Sequence, residues 1–318
     1  MQEVVLRDGL QSERAFVPTA QKIALADALS RTGIAKLEVT SFVSPKAIPN
    51  LADAEDVLRG ITRVPGVLYT VLVPNMRGAE RALNCGASID EWNLVMSVSE
   101  SHNLMNLRMT REQSFTQLAA VVALARSSPT PVAINVSLSC CFGCPVEGEV
   151  PPAEVHRWAA RFLELDGVGG VSLCDTTGMA FPSQVQTICN EHLRRWPDAE
   201  TTLHFHNTRG LGLANALAGL AAGIDRFDAS LGGLGGCPFA PGATGNICTE
   251  DLVHLLELEG CATGVDLPAL LEVSRQLAAT VGHDTPGQVV KAGQRLDTKP
   301  APDWLEGVRA RALAKGGD

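Results

Sequence analysis

The chain has no basic run, no apolar stretch near the length of a membrane span, and no second cysteine pair at zinc-site spacing. Each absence excludes something. With 26 Lys and Arg against 35 Asp and Glu, the formal net charge is −9, which suits neither nucleic acid nor an anionic membrane surface. Without roughly 20 consecutive apolar residues there is no spanning helix to expect. The first residues, Glu3-Val4-Val5-Leu6, read as a strand rather than as a basic and then apolar leader, so no secretory signal is expected. Nine cysteines, several of them inside apolar runs (Cys174, Cys189, Cys248), then read as reduced thiols in a cytoplasm. Cys140-Cys141-x-x-Cys144 resembles a redox or zinc motif but lacks its partner pair. Linkers, repeats and low-complexity tracts are missing too, which predicts one domain over residues 1–318.

What is present is an alternation. Strand-like runs fall at 4–7, 36–41, 67–73, 91–96, 132–137, 170–175, 201–206 and 226–230, with helical spacing between them, as in Leu118/Val121/Val122 and Val155/Trp158/Phe162. Pro18-Thr19, Thr110, Pro151-Pro152 and Pro182-Ser183 mark helix starts. The strands are near-continuous apolar runs, which indicates burial on both faces and a parallel sheet. Eight alternations in this length predict an α/β fold, the (β/α)8 TIM barrel. An open doubly wound sheet would gather its ligand at one switch point, whereas the chemical signals here are spread over several strand ends. Residues from about 262 to 318 read as a C-terminal helical extension.

Catalytic groups of such barrels sit where strands end, and the unusual polar residues fall there. Arg7-Asp8-Gly9 follows the first strand, Glu38-Val39-Thr40-Ser41 closes the second, Asp175-Thr176 the sixth and His204-Phe205-His206 the seventh. His204 and His206, two apart on a strand, leave the same face and could share a cation. An isolated pair of this kind is more often simply hydrogen-bonded or exposed. Asp8 offers a carboxylate and Asn246 an amide oxygen, and such a mixed N/O set suits Mg²⁺, Mn²⁺ or Co²⁺. Arg7 could hold an enolate oxygen. Asp175 serves the metal shell, proton transfer or the loop backbone, three alternatives the sequence leaves open. The glycine-rich stretch Leu231–Asn246 lets backbone approach a ligand closely, and Cys237 sits inside it. The remaining histidines, including His102, His156 and His192, have no assigned role.

Taken together, several segments resemble the hydroxymethylglutaryl-CoA lyase family. They are Arg7-Asp8-Gly9-Leu10-Gln11, Thr40-Ser41-Phe42-Val43-Ser44-Pro45-Lys46, Gly143-Cys144-Pro145, Asp175-Thr176-x-Gly178, Gly233-Leu234-Gly235-Gly236-Cys237-Pro238 and Gly245-Asn246. The resemblance implies a divalent metal, Mg²⁺ or Mn²⁺, bound by Asp8, His204, His206 and Asn246. It further implies catalytic roles for Arg7, Glu38, Asp175, His204 and Cys237. The implied reaction is retro-Claisen cleavage of a 3-hydroxy-3-methylglutaryl-CoA-type thioester to acetyl-CoA and a 3-oxo acid, by a homodimer in leucine degradation. An acyl-CoA substrate is polyanionic, so it requires a local basic patch that bulk charge does not reveal.

The chain departs from the family in places. His206-Asn207-Thr208-Arg209-Gly210 stands where the family has His-Asp-Thr-Tyr-Gly, and the asparagine is similar to condensing relatives such as isopropylmalate and homocitrate synthases. Ser137 stands where a tyrosine is expected. The alternative reading is therefore an acyltransferase joining acetyl-CoA to a 2-oxo acid. A third is a metal-binding barrel that has lost its activity.

Overall fold

The structure, a computed structural model, describes residues 1–236 and 245–315. Eight parallel strands close into a barrel in sequence order: β1 (Gln2–Glu3), β2 (Lys36–Ser41), β3 (Leu68–Leu72), β4 (Glu91–Ser97), β5 (Ala133–Ser139), β6 (Val168–Asp175), β7 (Glu200–Phe205) and β8 (Arg226–Ala229). Helices follow the strands and cover the outside. They start where the sequence signals place them: at Thr19 after Pro18, at Arg111 behind a Thr110–Gln113 capping box, at Pro152 and at Pro182. No helix among the described residues is long and apolar enough to cross a membrane.

Alternate strand residues face the helices. A side chain at Gly219 would collide with Leu203 and touch Phe227, so the helix Gly212–Ala221 packs against the outer faces of β7 and β8. The inner face differs from the apolar runs expected. Both faces are buried, but the interior carries a polar ladder: Asn93 Nδ2 donates to Glu38 Oε1 at 2.9 Å, and Asn135 Nδ2 donates to Asn93 Oδ1 at 3.0 Å and to Ser172 Oγ at 2.9 Å. Burial at these positions is tolerable because each group finds a partner.

The first strand is also shorter than its apolar run suggests. It pairs only through Gln2 and Glu3, and Val5–Gly9 then turns into a wide helical loop in which the Asp8 and Gly9 amides both donate to Val4 O. The cause is Glu3. Its buried carboxyl group accepts the Val5 amide at 2.8 Å, removing the donor a continued strand would give its neighbour. This early turn lays Arg7, Asp8 and Gln11 across the barrel mouth.

Beyond β8, helix Leu267–Val281 packs beside the first helix, with the Asp266 amide bonded to Thr32 O at 2.7 Å and the Ser274 hydroxyl donating to Glu250. A short turn, Val289–Ala292, and an exposed helix, Trp304–Lys315, complete the C-terminal part.

Candidate active site

The mouth of the barrel gathers side chains from both ends of the sequence. β7 carries His204 one residue before its end at Phe205, with His206 just beyond, and both histidines line the cavity at the mouth. Asn246 reaches them through backbone pairing: the Asn207 amide donates to Gly245 O at 2.9 Å and the Ile247 amide to Phe205 O at 3.0 Å, which sets Asn246 opposite His206. Gly245 and Gly235 allow this close passage. Both have φ near +100°, and a side chain at Gly235 would strike Asn246 and the Asp8 carbonyl.

Asp8 is the hub of the cluster. Its Oδ1 accepts from Arg7 Nη1 and from Gln11 Nε2, both at 2.7 Å, and its Oδ2 accepts from Asn246 Nδ2 at 2.6 Å. The two imidazole Nε2 atoms face each other at 3.1 Å and lie 3.8 Å (His204) and 3.6 Å (His206) from Asp8 Oδ2. Burial alone would raise the Asp8 carboxyl, but Arg7, His206, His204 and the Asn246 amide outweigh it and hold the group well below the ordinary carboxylate range. Burial pushes His206 down to about 4, so its ring is neutral at physiological pH. For His204 burial acts the same way, but Asp228 reverses it and the net direction is upward.

This donor set fits a divalent cation. One carboxylate oxygen and two imidazole nitrogens lie within 4.8 Å of one another, all buried. Asn246 Oδ1 is buried with no hydrogen-bond partner among the described residues, an orphaned oxygen whose amide already touches Asp8. His204 Nδ1 lies 3.1 Å from Asp228 Oδ2. That contact places the ring proton on Nδ1 and leaves Nε2 its lone pair, the arrangement by which an outer carboxylate orients a ligating histidine.

Arg7 joins the cluster to the polar ladder below. Its Nε donates to Glu38 Oε2 at 2.5 Å while Nη1 holds Asp8, so the guanidinium is fixed on two sides and its acidity is further suppressed. A cavity of about 500 Å³ opens above. Arg7, Asp8, His204 and His206 form its polar floor, and Val43, Leu72, Pro74, Val95 and Leu107 form an apolar wall. Ser137, in the position of the family's tyrosine, also lines it.

Asp175 Oδ1 accepts the Met179 amide at 2.7 Å and its Oδ2 accepts the Ala180 amide at 3.2 Å, so its hydrogen bonds go to the loop backbone. Burial raises its pKa to about 6. Cys237 lies outside the described residues; Gly236 before it lines the cavity. The Asn207 side-chain Oδ1 accepts the Gly212 amide at 3.1 Å at the start of a helix. The residue that suggested a condensing enzyme thus has a local structural task. Arg209 bridges to Thr177 O and Gly178 O, tying two mouth loops together.

Sequence reading missed three contributors. Asp228 stood inside a strand run, where an unpaired carboxylate amid apolar neighbours was the available signal; its register places it directly opposite His204. Gln11 and Asn93, which hold Asp8 and Glu38, gave no such signal.

Comparison with known proteins agrees with this geometry. A structure of an HMG-CoA lyase from Acinetobacter baumannii, in complex with coenzyme A and 3-methylmalate, superposes with a TM-score of 0.90 at 51% identity, covering 95% of this chain and 97% of that one. A hydroxymethylglutaryl-CoA lyase of Bacillus subtilis is 44% identical over 91% of this chain and 95% of its own length. An (R)-citramalyl-CoA lyase of Chloroflexus aurantiacus is 40% identical over 92% and 93%. Residues 1–290 match the HMGL-like family, and the chain belongs to it.

Proposed function

We propose that this carbon–carbon lyase cleaves a 3-hydroxy-3-methylglutaryl-CoA-type thioester to acetyl-CoA and a 3-oxo acid such as acetoacetate. The observation that carries the reading is the meeting of Asp8, His204, His206 and Asn246 beside a fixed arginine at the floor of one cavity. Asp8, His204, His206 and Asn246 would hold Mg²⁺ or Mn²⁺, which when bound supplies Lewis acidity toward the substrate's hydroxyl and carboxylate.

The chain's own residues do the rest. In the retro-Claisen step the 3-hydroxyl loses its proton, the C2–C3 bonding pair moves onto C2 and the thioester, and the ketone departs as the 3-oxo acid. Arg7, held by Glu38 and Asp8, keeps a permanent charge where the enolate oxygen develops, and such preorganised charge costs no reorganisation during reaction. The polar ladder Glu38–Asn93–Asn135 fixes that arginine from below. Cys237 is assigned the protonation of the enolate carbon on the strength of the family resemblance. Asp175 shapes the adjoining loop through its two backbone bonds. A homodimer, a cytoplasmic location and a place in leucine degradation are part of the same proposal.

The test is direct. Purified protein with added Mn²⁺ or Mg²⁺ is given 3-hydroxy-3-methylglutaryl-CoA and, because one relative is a citramalyl-CoA lyase, citramalyl-CoA. Acetyl-CoA release from the first is expected, and no release from either rejects the reading.

A further inference from the structure

The wall of the cavity differs from one side of the cation cluster to the other. Followed round the barrel from the first strand, it carries Arg7, then Leu72 on β3, Val95 on β4, Ser137 on β5, Cys174 on β6 and His204 on β7. Register makes the last four a continuous strip. Val95 is paired with Ser137, Ser137 with Ser172, and Cys174, two residues on from Ser172 and so on the same face, with His204. Arg7 thus flanks the cluster from the β1 side, and Cys174 and Ser137 flank it from the β6 and β5 side.

That second flank is built of short side chains. Ser137 stands where the family has a tyrosine, so one hydroxymethyl group replaces a phenol ring at the edge of the cavity. Its hydroxyl is engaged in the wall itself, where Oγ donates to Asn93 Oδ1 at 2.9 Å in the polar ladder. A thiol such as that of Cys174 behaves as a small apolar group. With Val95 beside them, Ser137 and Cys174 therefore offer the cavity a shallow recess that asks for no hydrogen bond and bears no charge.

The substrate's own connectivity gives this recess an occupant. In a 3-hydroxyglutaryl-type thioester, C3 carries a hydroxyl, an arm ending in the carboxylate, an arm ending in the thioester and one alkyl branch. Hydroxyl and carboxylate belong at the cation cluster and the thioester oxygen at Arg7, which leaves the branch for the flank away from Arg7. We propose that Val95, Ser137 and Cys174 form the subsite for the C3 branch, and that this subsite selects an alkyl group longer than methyl, such as ethyl or propyl. The inference rests on the reading of the chain as an acyl-CoA lyase and narrows its substrate class. A methyl branch leaves the recess unfilled, whereas each methylene buried in an apolar pocket is worth about tenfold or more in discrimination.

The experiment compares kcat/KM of the whole protein, with Mn²⁺ added, on the 3-methyl, 3-ethyl and 3-propyl members of the 3-hydroxy-3-alkylglutaryl-CoA series. Calorimetry on 3-methylglutaryl-CoA and 3-ethylglutaryl-CoA, which lack the hydroxyl and cannot be cleaved, reads affinity separately. Wild type should favour ethyl over methyl by about tenfold in kcat/KM, and the affinities should follow the same order. Ser137→Tyr should cut the ethyl-to-methyl ratio by about tenfold or more. Cys174→Leu, which narrows the recess from its other side, should lower the ratio as well and serves if the tyrosine variant folds poorly by its melting curve. A wild-type ratio of one or less, or a ratio unchanged in a folded variant, would overturn the proposal. If no thioester is cleaved, the lyase reading fails and the affinities decide the subsite. Tighter binding of the 3-ethyl compound, lost in Ser137→Tyr, then leaves it standing, and equal affinities reject it.

Discussion

Replacing Asp228 tests how the metal cluster is built. Its Oδ2 lies 3.1 Å from His204 Nδ1, and Asp228 and His204 are 2% and 6% exposed, so no solvent stands ready to replace the contact. The carboxylate fixes the ring, places the proton on Nδ1 and makes Nε2 a better donor. Losing such an outer partner weakens metal affinity by roughly 10–100-fold, which is about 1.4–2.7 kcal/mol. His206 has no equivalent, since its Nδ1 has no partner among the described residues. The two imidazoles are therefore unequal, and the orienting carboxylate serves one of them. Asp228→Asn keeps a carbonyl oxygen for the Nδ1 proton but removes the charge; Asp228→Ala removes both. Mn²⁺ titration followed by electron paramagnetic resonance should rank affinities wild type, then Asn, then Ala, with melting curves confirming that each variant is folded. If the folded alanine variant binds Mn²⁺ as tightly as wild type, the orientation argument is wrong.

Other predictions address the arginine and the barrel base. Arg7→Met should lower kcat by about 10²–10³, the usual effect of removing one preorganised stabiliser of a developing oxyanion, and Arg7→Lys should recover little because the two-sided fork is lost; an unchanged kcat would contradict the assignment. Burial raises the Glu3 carboxyl to about 8. A carboxyl that binds its proton more tightly when folded contributes stability fully present below the ordinary value near 4.5 and lost as pH rises through about 8. The wild-type melting temperature should thus decline between pH 5 and 8 more steeply than that of Glu3→Gln, and parallel pH curves would refute this.

Much of this was legible in the sequence because two periodicities coincide. The outward residues of most strands are apolar and the βα loops carry polar chemistry, so both strand positions and strand-end residues could be read. β2 matches its expected limits, 36–41. The first strand did not, because Val4-Val5-Leu6 is apolar enough for a strand while Glu3, one residue earlier, captures the amide that would extend it. Periodicity cannot register a side chain that competes for backbone.

Asp8, His204, His206 and Asn246 were nominated together, and the structure brings them together. Asp228 was not nominated, since its importance comes from the β7–β8 register, a relation between strands that a single strand's pattern does not contain. Asn207 shows the converse error. It suggested a different chemistry by residue type alone, whereas its side chain is spent on the Gly212 amide.

The central claim is that one divalent ion sits between Asp8, His204, His206 and Asn246. Anomalous diffraction from crystals grown with one equivalent of Mn²⁺ tests it most directly. The account predicts a single manganese peak bonded to Asp8, both Nε2 atoms and Asn246 Oδ1, at about 2.0–2.3 Å. A peak bound elsewhere, or none at this cluster, would contradict it.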